Sequence, residues 1–204
     1  MTFEELSESF LEHLEGRIVA VDHQAGVSVI RIQCLDWNPG RELREFDLEF
    51  SEVVEADVLP SECGSIYACD EHPLLWDHNQ QQASMFFSSV PKQPFELLGR
   101  IYQAHERLLE GWRPLSSYFS AGFDRMKVGY GLFAQGPQRV MEAYSEAVSG
   151  LVLDSIVPGH TPRGGKQVVF FDKQFVICRE VSVIERSSES PPGRFPAPQT
   201  DFLG

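Results

Sequence analysis

Residues 43–54, LREFDLEFSEVV, alternate apolar and charged side chains more cleanly than any other stretch of the chain. Phe46, Leu48 and Phe50 recur at every second position, with Glu45, Asp47 and Glu49 between them. A period of two belongs to a β-strand with one face on a core and one in solvent. A helix would keep Phe46 and Phe50 on one face but turn Leu48 to the opposite one. One such strand commits the chain to neighbouring strands and to a second layer that covers the apolar face.

The flanking sequence supplies both. Arg17–Val21 and Val27–Leu35 are β-rich, and Ile30, Ile32 and Cys34 share one face. Turns at His23–Gly26 and Asn38-Pro39-Gly40 separate the three strands, which predicts an antiparallel meander. Met85–Val90 is a further short strand, and Val168–Phe171 with Phe175–Ile184 forms a hairpin around Asp172–Gln174.

Helices are predicted over 2–15, 94–109 and 137–149. The first carries a capping box from Thr2 and Glu5 and an apolar stripe of Phe3, Leu6, Phe10 and Leu14, with Gly16 as its stop. The second starts at Pro94, places Phe95, Leu98, Ile101, Tyr102, His105, Leu108 and Leu109 on one face, and ends before Gly111 and Pro114. Trp112, Leu115, Tyr118 and Phe119 follow it as an aromatic hook. The third has Pro137 first, a stripe of Val140, Met141, Tyr144 and Val148, and Gly150 just past its end. Ser120–Gly136 is Gly-rich and reads as irregular.

The expected architecture is α+β: a mainly antiparallel sheet, made of an N-terminal meander plus a C-terminal hairpin, packed with two or three helices. A single domain spans 1–186, and the Ser-, Pro- and Gly-rich residues 187–204 form a flexible tail. Segments that alternated strand and helix would be needed for a parallel doubly wound sheet, and they are lacking.

Charge is distributed unevenly. Residues 1–75 hold seventeen Asp/Glu against four Lys/Arg, and residues 76–204 hold thirteen of each. An acidic third does not suit phosphate, whose contacts need Lys and Arg, so nucleic acid is not the expected partner. A basic protein is, drawn in by the field of one face, although acidic surfaces also simply maintain solubility. Glu45, Asp47 and Glu49, continued by Glu52, Glu55 and Asp57, are thus either a solvated strand face or a surface for Lys and Arg. Trp76 and Trp112, large rings in turn-rich contexts, are either core filler or interface anchors. No window of about 20 apolar residues suggests a membrane span. The N-terminal stretch has no basic flank and no long apolar run, and a cytoplasmic location with four reduced thiols is expected.

Motifs for chemistry are sparse. Cys63, Cys69, His72 and His78 are types that ligate zinc, but five residues separate each like pair, unlike a CxxC knuckle. Gly159–Lys166 misses the phosphate-loop spacing by one residue, and Gln167 follows the Lys. Gly129–Gly136 is not GxGxxG, and no Ser sits in a GxSxG elbow. His105, on an apolar helix face, reads as a satisfied core histidine. No cofactor or metal is expected. An enzyme with a metal or thiol site in the Cys63–His78 loop is the alternative, and an acidic secretion chaperone or adaptor a third reading.

GRIVAVD (16–22), FDLEFSEVV (46–54), HPLLW (72–76), WRPLSSYF (112–119) and GLFAQGP (131–137) together resemble the bacterial immunity proteins of polymorphic-toxin and type VI secretion systems. The resemblance spans roughly residues 16–184 and transfers no individual site residue. It implies a non-enzymatic cytoplasmic α+β protein that binds and occludes a cognate basic toxin, often a nuclease. The candidate partner-binding residues are then Glu45, Asp47, Glu49, Glu52, Glu55 and Asp57, with Trp76 and Trp112 as anchors. A homodimer is compatible with this reading, and neither nucleic acid nor membrane is an expected partner.

Overall fold

The apolar runs QVVFF and QFVIC are buried on both faces. A computed structural model describes residues 1–24, 27–38, 42–120 and 123–186, with the backbone alone at 123–125. The tail predicted at 187–204 lies outside the described residues. Within them, twelve strands form three antiparallel sheets, and five helices pack on these. The fold is α+β, as the segment order predicts.

The outer sheet has five strands. They are β1 (Leu14–Gln24), β2 (Val27–Asp36), β3 (Leu43–Ser51), β5 (Glu62–Cys63) and β12 (Glu180–Arg186), in the order β12-β3-β2-β1-β5. The predicted meander is its centre. Phe46, Leu48 and Phe50 are fully buried, together with Ile30, Ile32 and Cys34. Helix α1 (Phe3–Glu12) closes this core with Phe3, Leu6 and Phe10, and its capping box forms as predicted. Gly16 does not stop that helix. It lies in β1 opposite Cys34 and Cys63, where a Cβ would meet the Phe10 ring at 2.7 and 2.8 Å. The glycine is there for a close approach, and the helix ends earlier, at His13.

The central sheet has the order β4-β11-β10-β6, from β4 (Glu55–Asp57), β6 (Ile66–Cys69), β10 (Gln167–Phe171) and β11 (Gln174–Cys178). The last four residues of both β10 and β11 are buried without alternation. Continuous burial follows from cover on both faces. Val169, Phe171, Val176 and Cys178 face the outer sheet; Val168, Phe170, Phe175 and Ile177 face Leu74, Leu75 and Trp112. The strand predicted over 175–184 is therefore two. β11 stays in the central sheet, and after Arg179 the chain crosses to the outer sheet as β12.

Between β6 and β10, which are neighbours, residues 73–165 build their own core. Here β7 (Gln82–Phe87) is flanked by β8 (Gly131–Pro137) and β9 (Asp154–Pro158), with α3 (Pro94–Leu109) and α5 (Gln138–Val148) packed on them. Two short helices, α2 (Trp76–Asn79) and α4 (Phe123–Val128), complete the set. The stretch expected to be irregular thus supplies α4 and a paired strand. The buried line of α3 is Leu97, Ile101, His105 and Leu109, rotated from the predicted stripe; Phe95 and Tyr102 are exposed. α5 buries Val140, Met141, Tyr144 and Val148 as predicted.

Candidate functional site

The outer face of the five-stranded sheet carries Glu45, Asp47 and Glu49 of the residues singled out above. Register puts its side chains in rows. One row runs Glu62, Arg17, Gln33, Glu45, Arg186, and the next Ala20, Arg31, Asp47, Ile184. The third is Asp22, Val29, Glu49, Ser182. A bulge between Ile18 and Ala20 keeps Asp22 on this face.

The carboxylate ladder of β3 is therefore interleaved with cations from its neighbours. Arg31 Nε donates to Asp47 Oδ1 at 2.8 Å, and Arg186 Nε lies 3.5 Å from Asp47 Oδ2. The Asp47 hydrogen bond raises the Arg31 pKa above its ordinary value. The Gln33 amide donates to Glu45 at 2.9 Å. Glu49 is exposed, and its cross-strand neighbours Val29 and Ser182 are neutral. The ladder is a charge mosaic: among the described residues Glu45, Glu49 and its row-mate Asp22 make no ion pair, Glu45 and Asp22 each accepting only from a neutral amide, that of Gln33 and that of Gln24. Val27, Leu43 and Ile184 are each more than 40% exposed on the same sheet.

The remaining predicted residues lie elsewhere. Glu52, left-handed at φ 48°, accepts from Lys166 Nζ at 2.9 Å, with Arg179 at 3.8 Å. That lysine holds its carboxyl below the usual range. Glu55 is in the central sheet and accepts two hydrogen bonds from Arg113, both of 2.6 Å. Asp57 is exposed at the end of β4. Trp76 is buried beneath the Arg139 guanidinium, 4.9 Å from its centroid. Trp112 packs against His72, Phe170 and Phe175 at 5.0, 5.4 and 6.4 Å. Trp76 packs into the core of residues 73–165, and Trp112, partly buried, covers the apolar rings that β10 and β11 leave on that side. The six carboxylates and two tryptophans do not form one surface.

A second constellation joins residues 73–165 to the sheets. Arg113 spans Glu55 and Asp77, the latter at 3.7 Å from its Nε, and the Tyr118 hydroxyl donates to Asp77 at 2.8 Å. Burial, then Asp77, pushes the Tyr118 pKa up. The Arg113 carbonyl lies 2.7 Å from His105 Nε2 and can only accept, so His105 carries its proton on Nε2. Its Nδ1 then accepts from the Tyr144 hydroxyl at 2.7 Å. His105 is fully buried and satisfied on both nitrogens. Each group here is bonded to another part of the chain, which suits a structural clasp.

The Cys63–His78 segment does not converge. Cys63 is in the outer sheet and Cys69 in the central one. His72 has its ring edge-on to Trp112 and Phe170, and burial lowers its pKa. Burial pushes the Cys63 thiol up to about 12, opposite to what a nucleophile needs. No three His, Cys, Asp or Glu side chains among the described residues are placed to hold a metal ion. Sequence reasoning missed Arg31 and Arg186, whose alternation with their own neighbours was the available signal. Compared with family models, curated proteins and solved structures, the chain matches none.

Proposed function

We propose that this protein is a binding protein of the immunity type, which neutralises a basic toxin by covering it with the outer face of the five-stranded sheet. One observation carries this reading. No other described element covers that face, and it presents Val27, Leu43 and Ile184 among Asp22, Glu45 and Glu49. The three apolar side chains stand in separate rows between the carboxylates, and the β-ladder fixes both in place beforehand.

The two components play different parts. Unpaired carboxylates accelerate encounter with a basic surface, and the apolar side chains supply short-range contact once docked. Asp47, held between Arg31 and Arg186, contributes rigidity rather than free charge. Glu52, exposed but tied to Lys166 and Arg179, lies outside the proposed surface, as do Glu55, held by Arg113, and the two tryptophans. A toxin that holds phosphate must carry a basic patch, so a nuclease is a suitable target.

Co-expression with the protein encoded beside this one tests the proposal. Wild type is expected to restore growth to cells poisoned by that protein. Glu45→Lys with Glu49→Lys should lose the rescue while remaining folded. Equal rescue by the variant would remove the outer face from the account.

A further inference from the structure

β12 is the last strand of the outer sheet and pairs with β3 alone, so its other edge is open among the described residues. A seven-residue open edge is a template for another strand. Its sequence, EVSVIER, has Glu180 at one end and Arg186 at the other. Glu180 is exposed and makes no ion pair among the described residues, and Arg186 remains 44% exposed beside Asp47.

We propose that this edge joins two copies of the chain, with β12 antiparallel to β12 of the partner about a twofold axis through Val183. A twofold contact requires each residue to face a residue that faces it in return. In one continuous sheet, opposed residues must also share a face, so the axis passes through a residue and not between two. Centring on Val183 pairs all seven residues. It sets Glu180 against Arg186 of the partner subunit, and Arg186 against Glu180 of the partner subunit. Centring on Ser182 places Glu180 against Ile184, and centring on Ile184 leaves Glu180 beyond the strand. Charges on an edge strand ordinarily discourage pairing. Here the same two charges select one register.

The contact is weak, because a seven-residue edge buries less than the roughly 1,200 Å² of a standard stable interface. It goes beyond the docking surface proposed above and is measured without any toxin.

Sedimentation of the full chain from about 1 to 200 µM is the test, since a weak dimer appears by mass action. Wild type is expected to dimerise with rising concentration. Glu180→Arg and Arg186→Glu should each weaken the dimer about tenfold, because each converts two attractive cross-strand pairs into repulsive ones. The double variant Glu180→Arg/Arg186→Glu should recover it. A monomer throughout would leave the edge to a strand of some other protein and overturn the proposal. Single variants that dimerise like wild type, or a folded double variant that stays monomeric, would overturn it equally. Hydrogen exchange on the wild type decides independently of any variant. The alternate amides within 181–185 that point away from β3 should gain protection with concentration, and concentration-independent exchange there contradicts the dimer.

Discussion

Replacing Glu55 by Gln should destabilise the fold more than any change to an outer-face carboxylate. Arg113 is 16% exposed and gives Glu55 two hydrogen bonds of 2.6 Å. Among the described residues its Nε has no hydrogen-bond partner, and Asp77 is 3.7 Å from it. Its carbonyl is tied to His105, so the backbone cannot carry the guanidinium out to water. Charge-assisted hydrogen bonds contribute about 1.5–3 kcal/mol each. Glu55 is about one-third exposed, so water recovers part of the loss, and a net cost of about 2 kcal/mol remains. Arg113→Met should cost less, about 1 kcal/mol, because the stranded Glu55 carboxylate can reach solvent. Urea unfolding followed by Trp76 and Trp112 fluorescence is the assay, and a slope of about 2 kcal/mol per molar converts the larger cost into a midpoint shift of about 1 M. The double variant closes the cycle, with an expected coupling of at least 1 kcal/mol or so. Coupling below about 0.5 kcal/mol, or a methionine variant worse than the glutamine one, would refute the clasp.

Four further outcomes follow from the packing. Gly16→Ala should cost about 1–3 kcal/mol in the same assay, since its Cβ meets the Phe10 ring at 2.7 Å and Cys34 Sγ at 3.2 Å; an unchanged midpoint would mean that the ring moves freely. Cys69 should react first with a thiol reagent, while Cys34, Cys63 and Cys178, pushed up to about 12 by burial, react only on unfolding. Unfolded thiols ionise near their ordinary 9.0 and the folded ones do not, so stability should fall as pH rises from about 9 towards 12, and a flat profile there would contradict it. Burial lowers the His72 and His78 pKa values below 6.5; the unfolded chain then binds protons first, stability declines as pH drops through that value, and NMR titration should show both midpoints below 6.5.

The period of two in 43–54 was sufficient to place β3 and to say which residues it buries, because one buried face leaves only one orientation. It could not show that Arg31 and Arg186 stand beside Asp47. Those neighbours are set by register across three strands and by a strand some 140 residues away. The course of β11 into β12 was hidden for a related reason. Both read as β, and only the change from continuous burial to alternation marks the crossing at Arg179. In α3, Phe95 and Tyr102 drew the predicted stripe towards themselves by size alone, whereas the line at 97, 101, 105 and 109 packs against α5. Trp112 was recognisable as an aromatic hook but not as cover for Phe170 and Phe175, since nothing local announces that a central sheet needs a lid.

The central claim is that the outer sheet face meets a basic protein. Stopped-flow association with the protein encoded beside this one, across a series of salt concentrations, tests it most directly. The rate for wild type should fall steeply with salt, and Glu45→Lys/Glu49→Lys should both slow association at low salt and flatten that dependence. Identical rates and slopes for the two proteins would contradict the claim.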